Sequence, residues 1–310
     1  MYKEINNEKY LNRQIAPDPE EPTAYSILDT THKVIPMPEC FVISPIVRMI
    51  AKTTFIPENL PQNIYDAWIS DPRVNKDNLM NLLEVAGRNC YQSWDNKAGR
   101  TNESYLRNII KSGHLSVLEH GSVSFFITNV SRAFTHELVR HRLASYSQLS
   151  QRYVHPDELH FVIPPFFLSY DPESLVVEKY ILTPNLDVIR RFCNSCLDSA
   201  YAYSTIIKKL WENHEDEDDR TLIRKRILES SRSVLPNATV TSIVMTANLR
   251  EWRHITALRT STSADLEMRI VMSEIFRALD LLYHPLFDDI FYEMPVNPHD
   301  LRSLSPNTEY

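Results

Sequence analysis

The chain has 310 residues, 43% of them hydrophobic, enough to bury one large core or two moderate ones, which excludes a disordered protein. A formal net charge of −7 argues against nucleic-acid binding, whose nonspecific affinity comes from broad basic surfaces that release counterions. No run approaches the roughly eighteen apolar residues of a membrane span, no secretory leader pattern opens the chain, and the few scattered cysteines suit a reducing compartment; a cytoplasmic protein with no membrane partner is expected.

Residues 1–41 are polar and punctuated by Pro17, Pro19, Pro22, Pro36 and Pro38, which reads as an extension or arm. A first strand is expected over 41–50, and 78–86 shows helical apolar spacing up to Gly87. A second helix is expected over 104–111, stopping at Gly113. Residues 122–128 are β-like, and Ser131 is positioned to cap a helix running through Phe134 and Leu138. Beyond that helix end a loop is expected.

Between Pro184 and Asn213 a long amphipathic helix is expected, its apolar stripe running from Ile189 through Cys193, Cys196 and Tyr203 to Leu210. The acidic run 215–219 reads as a solvated turn, and 220–232 as a helix ended by Pro236. A strand over 239–246, a short helix over 249–258 and a longer one over 264–283, capped by Ser263, complete the pattern. Helices and strands do not alternate in βαβ units, so the fold class is α+β rather than doubly wound.

The most informative stretch is 136–153, which holds three arginines, two histidines and three serines with one acid, Glu137. Arginine offers a planar fork of donors to phosphate or carboxylate, and serine hydroxyls fill the remaining oxygens, so this is an anion-binding surface. The only glycines are Gly87, Gly99, Gly113 and Gly121, so neither G-x-G-x-x-G nor G-x-x-x-x-G-K-[ST] can be written. Side chains, not a Rossmann or P-loop nest, must hold the anion.

Two other chemistries are weaker. His136-Glu137 followed by His141 misses the H-E-x-x-H spacing, the second histidine lying about 140° round a helix from the first, so no metal site is expected. Cys193 and Cys196 form a lone C-x-x-C on an apolar helical stripe, which reads as two core cysteines.

A second arginine-rich segment, Asn248-x-Arg250-x-x-Arg253-His254-x-x-x-x-Arg259, follows Arg232-Ser-Val-Leu-Pro236. With these in view, the run Arg140-His141-Arg142-x-x-Ser145-x-Ser147-x-x-Ser150-x-Arg152 resembles the signature of flavin-dependent thymidylate synthases, R-H-R-x-x-S-x-N-x-x-S-x-R. The likeness extends to Gly113-His-Leu-Ser116-Val-Leu-Glu-His120 and to both arginine segments, in order, across most of 42–285.

The resemblance implies an α+β fold with a mainly antiparallel sheet over residues 42–295, followed by a tail at 296–310. It implies reductive methylation of dUMP to dTMP, with 5,10-methylenetetrahydrofolate as carbon donor, NADPH as reductant and FAD as bound cofactor, in a homotetramer whose active sites are shared between subunits. Carried over by motif position, Ser116, Arg140, His141, Arg142, Gln148, Asn248, Arg250 and His254 would bind FAD. Glu137, Leu138, Val139 and Arg140, with Gln148, Leu149, Ser150, Gln151 and Arg152, would line the dUMP site, joined by Arg232. Arg152 is expected to reach a neighbouring subunit's nucleotide.

Arg259 corresponds to the family residue assigned to ionisation at N3 of uracil. Arginine is a poor base, so its expected role is to stabilise negative charge developing on the pyrimidine. No cysteine nucleophile is expected. Ser147 stands in place of the asparagine common in the signature, Gln148 in place of a glutamate and His254 in place of an asparagine; each keeps hydrogen-bonding capacity. His114 and Tyr153 are further candidates to border the flavin.

Overall fold

The computed structural model describes residues 26–28, 34–36, 41–42, 45–69, 79–94, 101–155, 159–167, 180–182, 186–215 and 218–290. Strands β1 (Ser26–Leu28), β2 (Val34–Pro36), β3 (Phe41–Val42) and β4 (Ile46–Lys52) come first. Helices α1 (Gln62–Ile69), α2 (Leu79–Tyr91) and α3 (Asn102–Lys111) precede β5 (Ser122–Ser131), α4 (Arg132–Leu138) and β6 (Ala144–Gln148). Short strands β7 (Phe161–Val162) and β8 (Tyr180–Leu182) lead to α5 (Leu186–Glu212) and α6 (Arg220–Ser231). Then come β9 (Val240–Asn248), α7 (Leu249–Arg259) and α8 (Leu266–Tyr283).

The main sheet has the order β4-β5-β9-β6 and is antiparallel throughout. Its middle strands alternate between buried and half-exposed residues, the period-two pattern of a sheet with one face in the core. Val123, Phe125 and Ile127 of β5 stand opposite Ala247, Met245 and Ile243 of β9, and all six are buried. A bulge between Ile127 and Val130 puts Asn129 at φ +56°, a left-handed conformation that asparagine tolerates better than most residues. Downstream of it, Val130 and Ser131 are both buried, delivering the strand into α4.

Helices α7 and α8 cover this face. Trp252 is fully buried, its indole N–H donating to Val123 O at 3.1 Å and its ring meeting Phe125 edge-on. On α8, Met268, Val271, Met272, Ile275, Phe276 and Leu279 form one buried stripe at helical spacing. The α5 and α6 helices build separate clusters: Ile189, Cys193 and Cys196 pack with Phe161 and Ile163, and Tyr203 and Ile207 pack with Ile223, Ile227 and Leu228. The C-x-x-C pair thus lies in apolar packing, as its position on the stripe predicts. No helix among the described residues is long and apolar enough to cross a membrane.

The α+β class and the mainly antiparallel sheet agree with expectation; the small pairings of β1 with β8 and β3 with β7 are parallel. Through them, strands from the stretch expected to be an arm are joined to the middle of the chain. Of the first expected strand, the described residues fall in β3 and β4, and Pro45, which has no ladder donor, stands just before β4. Helix α2 runs past Gly87 to Tyr91; the glycine is there because a Cβ would collide with the Tyr105 hydroxyl, not to stop the helix. Gly113 does terminate α3: at φ +71° it supports the paired bonds His114 N to Ile109 O and Gly113 N to Ile110 O.

The cap of α8 is Asp265, which accepts from Glu267 N at 3.0 Å, rather than Ser263, whose hydroxyl is paired with that of Ser261. Helix α1 has no counterpart in the predicted elements. Neither does β6: residues 144–148, expected as loop, form the sheet's edge strand.

Candidate active site

The arginine-rich stretch is fixed at both ends by buried polar contacts. Where β5 becomes α4, the Ser131 hydroxyl accepts from Phe134 N at 3.0 Å, the expected cap. Glu267 on α8 accepts from Ser131 N at 2.7 Å and from its hydroxyl at 2.6 Å. At the other end, Tyr146 on β6 shares its hydroxyl proton between Leu138 O at 3.0 Å and His141 O at 2.8 Å. Burial, then the Glu251 charge, pushes the Tyr146 pKa up to about 12, so it remains a donor.

This anchoring aims His141 inward, with only 8% of its surface exposed. Its Nε2 accepts from Arg259 Nε at 2.9 Å, which places the ring proton on Nδ1. Burial first, then the charges of Arg259 and His254, lower the His141 pKa from 6.5 to about 4, against a smaller opposing pull from Glu137. The ring is therefore a neutral acceptor at physiological pH. The Arg259 side chain is 19% exposed and its Nη1 lies 3.4 Å from Glu137 Oε2. Arg140 sits 3.8 Å from the other Glu137 oxygen with its guanidinium largely in solvent, and the His254 ring meets His141 edge-on at 6.3 Å. Glu137, Arg140, His141, His254 and Arg259 thus form one cluster where the end of α4 meets α7. Leu138 packs in the core, whereas Val139 and Arg142 are exposed at the rim.

A second cluster lies along α4 and β6. Gln148 donates to Thr135 Oγ1 at 2.7 Å, and Leu149 O accepts from Arg132 Nη1 at 3.4 Å. Burial and then the Arg232 charge lower the pKa of Arg132. A cation whose charge is disfavoured in this way is one that a bound anion would relieve. Ser150 accepts from Arg152 N at 3.2 Å, and half-buried Gln151 lies between them.

Arg152 points elsewhere, pairing with Glu229 on α6 at 3.0 Å while its buried Nε has no partner. Tyr153 is faced by the Arg152 guanidinium at 5.7 Å and by Lys225 Nζ at 5.5 Å. A pocket of about 400 Å³ opens here, lined by Arg152, Tyr153, Asp219, Thr221, Leu222, Arg224 and Lys225.

A third group joins the remaining segments. Exposed Ser116 lies on the turn Leu115–His120, which Arg250 clasps through Glu119 at 2.6 Å. Asn248 caps α7, accepting from Glu251 N at 2.8 Å, and His114 stacks on Tyr91. Arg253, between these residues in the same segment, is structural: it is buried in a forked bridge to Asp289, at 2.7 and 2.6 Å, and also donates to Leu286 O.

Residues that sequence reasoning passed over are Arg132, Tyr146 and Lys225. Arg132 lies eight positions before Arg140, and Tyr146 lies inside the signature run. Their positions were legible; their partners were not. Lys225 carries no sequence signal, because only the approach of α6 to Tyr153 gives it a role.

Residues 74–282 match the family model Thy1, described as thymidylate synthase complementing protein. The flavin-dependent thymidylate synthase of Mycobacteroides abscessus is 42% identical over 265 residues, covering 85% of this chain and 93% of that one. The enzyme of the same name from Mycobacterium tuberculosis is 44% identical over 246 residues, covering 78% and 88%. Among solved structures, PolB from Streptomyces cacaoi, a UMP/dUMP methylase bound with 5-Br UMP, superposes with a TM-score of 0.54 at 18% identity, over 80% of this chain and 95% of that one. That likeness speaks to the fold alone.

Proposed function

The chain belongs to the Thy1 family, the flavin-dependent thymidylate synthases, and from that membership we propose that it converts dUMP to dTMP by reductive methylation. The carbon comes from 5,10-methylenetetrahydrofolate and the reducing equivalents from NADPH through FAD, with tetrahydrofolate released. The observation that carries this reading is Arg259, a partly buried cation held by a neutral imidazole at the centre of the family's motif blocks.

The donor set fits FAD. Arg140, Arg142 and Arg250 offer exposed guanidinium groups of the kind that engage a pyrophosphate, and Ser116, Gln148, Asn248 and His254 add further hydrogen-bonding groups. Bound there, FAD supplies the hydride chemistry, and the protein supplies orientation and charge. For the nucleotide, Arg232, Arg152, Ser150 and Gln151 hold the phosphate side, while Glu137, Val139 and the backbone at Leu138, with Leu149, line the approach to the base. Arg259 stabilises negative charge spreading over the pyrimidine, an electrostatic contribution that grows toward the transition state. It takes no proton. Among the described residues no cysteine is placed to act as nucleophile: Cys193 and Cys196 are buried, and Cys90 sits on the last turn of α2.

Arg152 pairs with Glu229, not with the Arg259 cluster, which supports an active site completed by residues of another subunit in a homotetramer. Exposed Val139, Leu143 and Leu149 on the same stretch are surface that such an assembly would cover.

The test is direct. Purified protein should be yellow, with flavin absorbance bleached by NADPH and restored by air, and dTMP should form only when dUMP, methylenetetrahydrofolate and NADPH are all present. A protein that stays colourless after incubation with FAD refutes the reading.

A further inference from the structure

We propose that His141 is a positioning residue for Arg259, an uncharged acceptor that fixes the guanidinium plane and leaves its outer N–H groups and its full charge for the pyrimidine. This rests on the proposed thymidylate synthase activity and assigns His141 a role that does not depend on touching the flavin.

Arginine has five N–H donors. In Arg259, Nε is committed to His141 Nε2 at 2.9 Å and Nη1 approaches Glu137 at 3.4 Å. The two contacts are unequal. The carboxylate is long for a charged hydrogen bond and partly in solvent, so it is weak and screened. The imidazole bond is short and lies on a buried residue, so it sets the geometry.

The chemistry of the acceptor matters as much as its place. A carboxylate at His141 would hold Arg259 equally well, but it would cancel the charge that the reaction uses. A neutral imidazole orients without neutralising. A protonated one would repel Arg259 and offer no lone pair, and the setting of His141 opposes that state: burial disfavours the charge first, then Arg259 and His254 on α7, against one favouring charge, Glu137 on α4. The His141 peptide is itself held at both ends, its N–H donating to Leu138 O at 3.2 Å and its carbonyl accepting from Tyr146. The whole device runs from β6 through the α4 end to α7.

The experiment uses the flavin-loaded protein in six forms: wild type, His141→Ala, His141→Gln and Arg259→Lys, and each His141 change in the Arg259→Lys background. Glutamine keeps an acceptor near the Nε2 position. Flavin content, kcat and the KM for dUMP are measured in all.

His141→Ala should keep its flavin and lose kcat by roughly 10- to 100-fold, the scale of a misplaced catalytic group, with little change in KM. His141→Gln should recover most of that loss. In the Arg259→Lys background, which lacks the Nε donor, His141→Ala should cost almost nothing more, the mark of two residues acting through one contact.

Loss of flavin in both His141 variants, or equal losses with and without Arg259, would overturn the assignment and make His141 a cofactor ligand or an independent group. If His141→Ala does not fold, the comparison of His141→Gln across the two backgrounds decides the question. Wild-type protein that forms no dTMP overturns the underlying reading instead.

Discussion

Glu267 on α8 receives both the main-chain N–H and the hydroxyl of Ser131, 136 residues earlier in the chain, at 2.7 and 2.6 Å. That contact fixes the angle at which β5 enters α4 and thereby the direction of every side chain from Arg132 to His141. Ser131→Ala removes the helix cap and one charge-assisted hydrogen bond, together worth about 2–3 kcal/mol. It should lower the denaturation midpoint accordingly and reduce flavin content in parallel. Unchanged stability would mean that α4 is held by its apolar residues alone.

The pair Arg132 and Arg232 gives a second expectation. Burial and then the Arg232 charge disfavour the charged form of Arg132, so an anion bound at Arg132 relieves that penalty as well as gaining hydrogen bonds. Arg132→Gln should weaken dUMP binding by about 10- to 30-fold, on the scale of one charge-assisted bond, and should spare deoxyuridine binding. Equal effects on the nucleotide and the nucleoside, measured by calorimetry, would remove Arg132 from the phosphate site.

Cys90→Ala should turn over normally. Cys90 is exposed, but it lies on the α2 end beside Tyr91 and belongs to none of the arginine clusters. A variant that folds and binds dUMP yet forms no dTMP would require a thiolate mechanism and would contradict the role given to Arg259.

What the sequence made legible depended on whether the signal was local. The Ser131 cap, the Gly113 stop and the buried Cys193 and Cys196 all follow from short-range spacing. Strand β6 does not: Ala144-Ser-Tyr-Ser-Gln148 has too few apolar residues to alternate, and only its pairing with β9 makes it a strand.

The caps divide in the same way. Asn248 followed three residues later by Glu251 is a legible helix start, so the loss of its side-chain oxygen to a cap was readable. Arg253 resembled its neighbours until Asp289 closed on it. The motif resemblance gathered the arginines into one site, but the bond between His141 and Arg259 spans 118 positions and exists only in the fold.

The depressed His141 pKa makes stability depend on pH with a definite sign. The unfolded chain binds a proton at His141 near pH 6.5, whereas the folded protein does so only near 4. This contribution is therefore fully present above about pH 6.5 and is lost as pH falls through 4, at up to about 1.4 kcal/mol per unit and roughly 3–3.5 kcal/mol in all. Glu267 acts oppositely. Burial raises its pKa in the fold, so its contribution is present below about 4.5 and lost as pH rises through the folded value. The raw profile mixes the two, but the difference between wild type and His141→Gln isolates the histidine. Denaturant titrations from pH 7.5 to 4.5 should show wild type losing stability relative to the glutamine variant, beginning near 6.5. Parallel curves would mean that His141 is already solvated in the folded protein, and the short bond to Arg259 would then lack the buried setting that keeps its acceptor neutral.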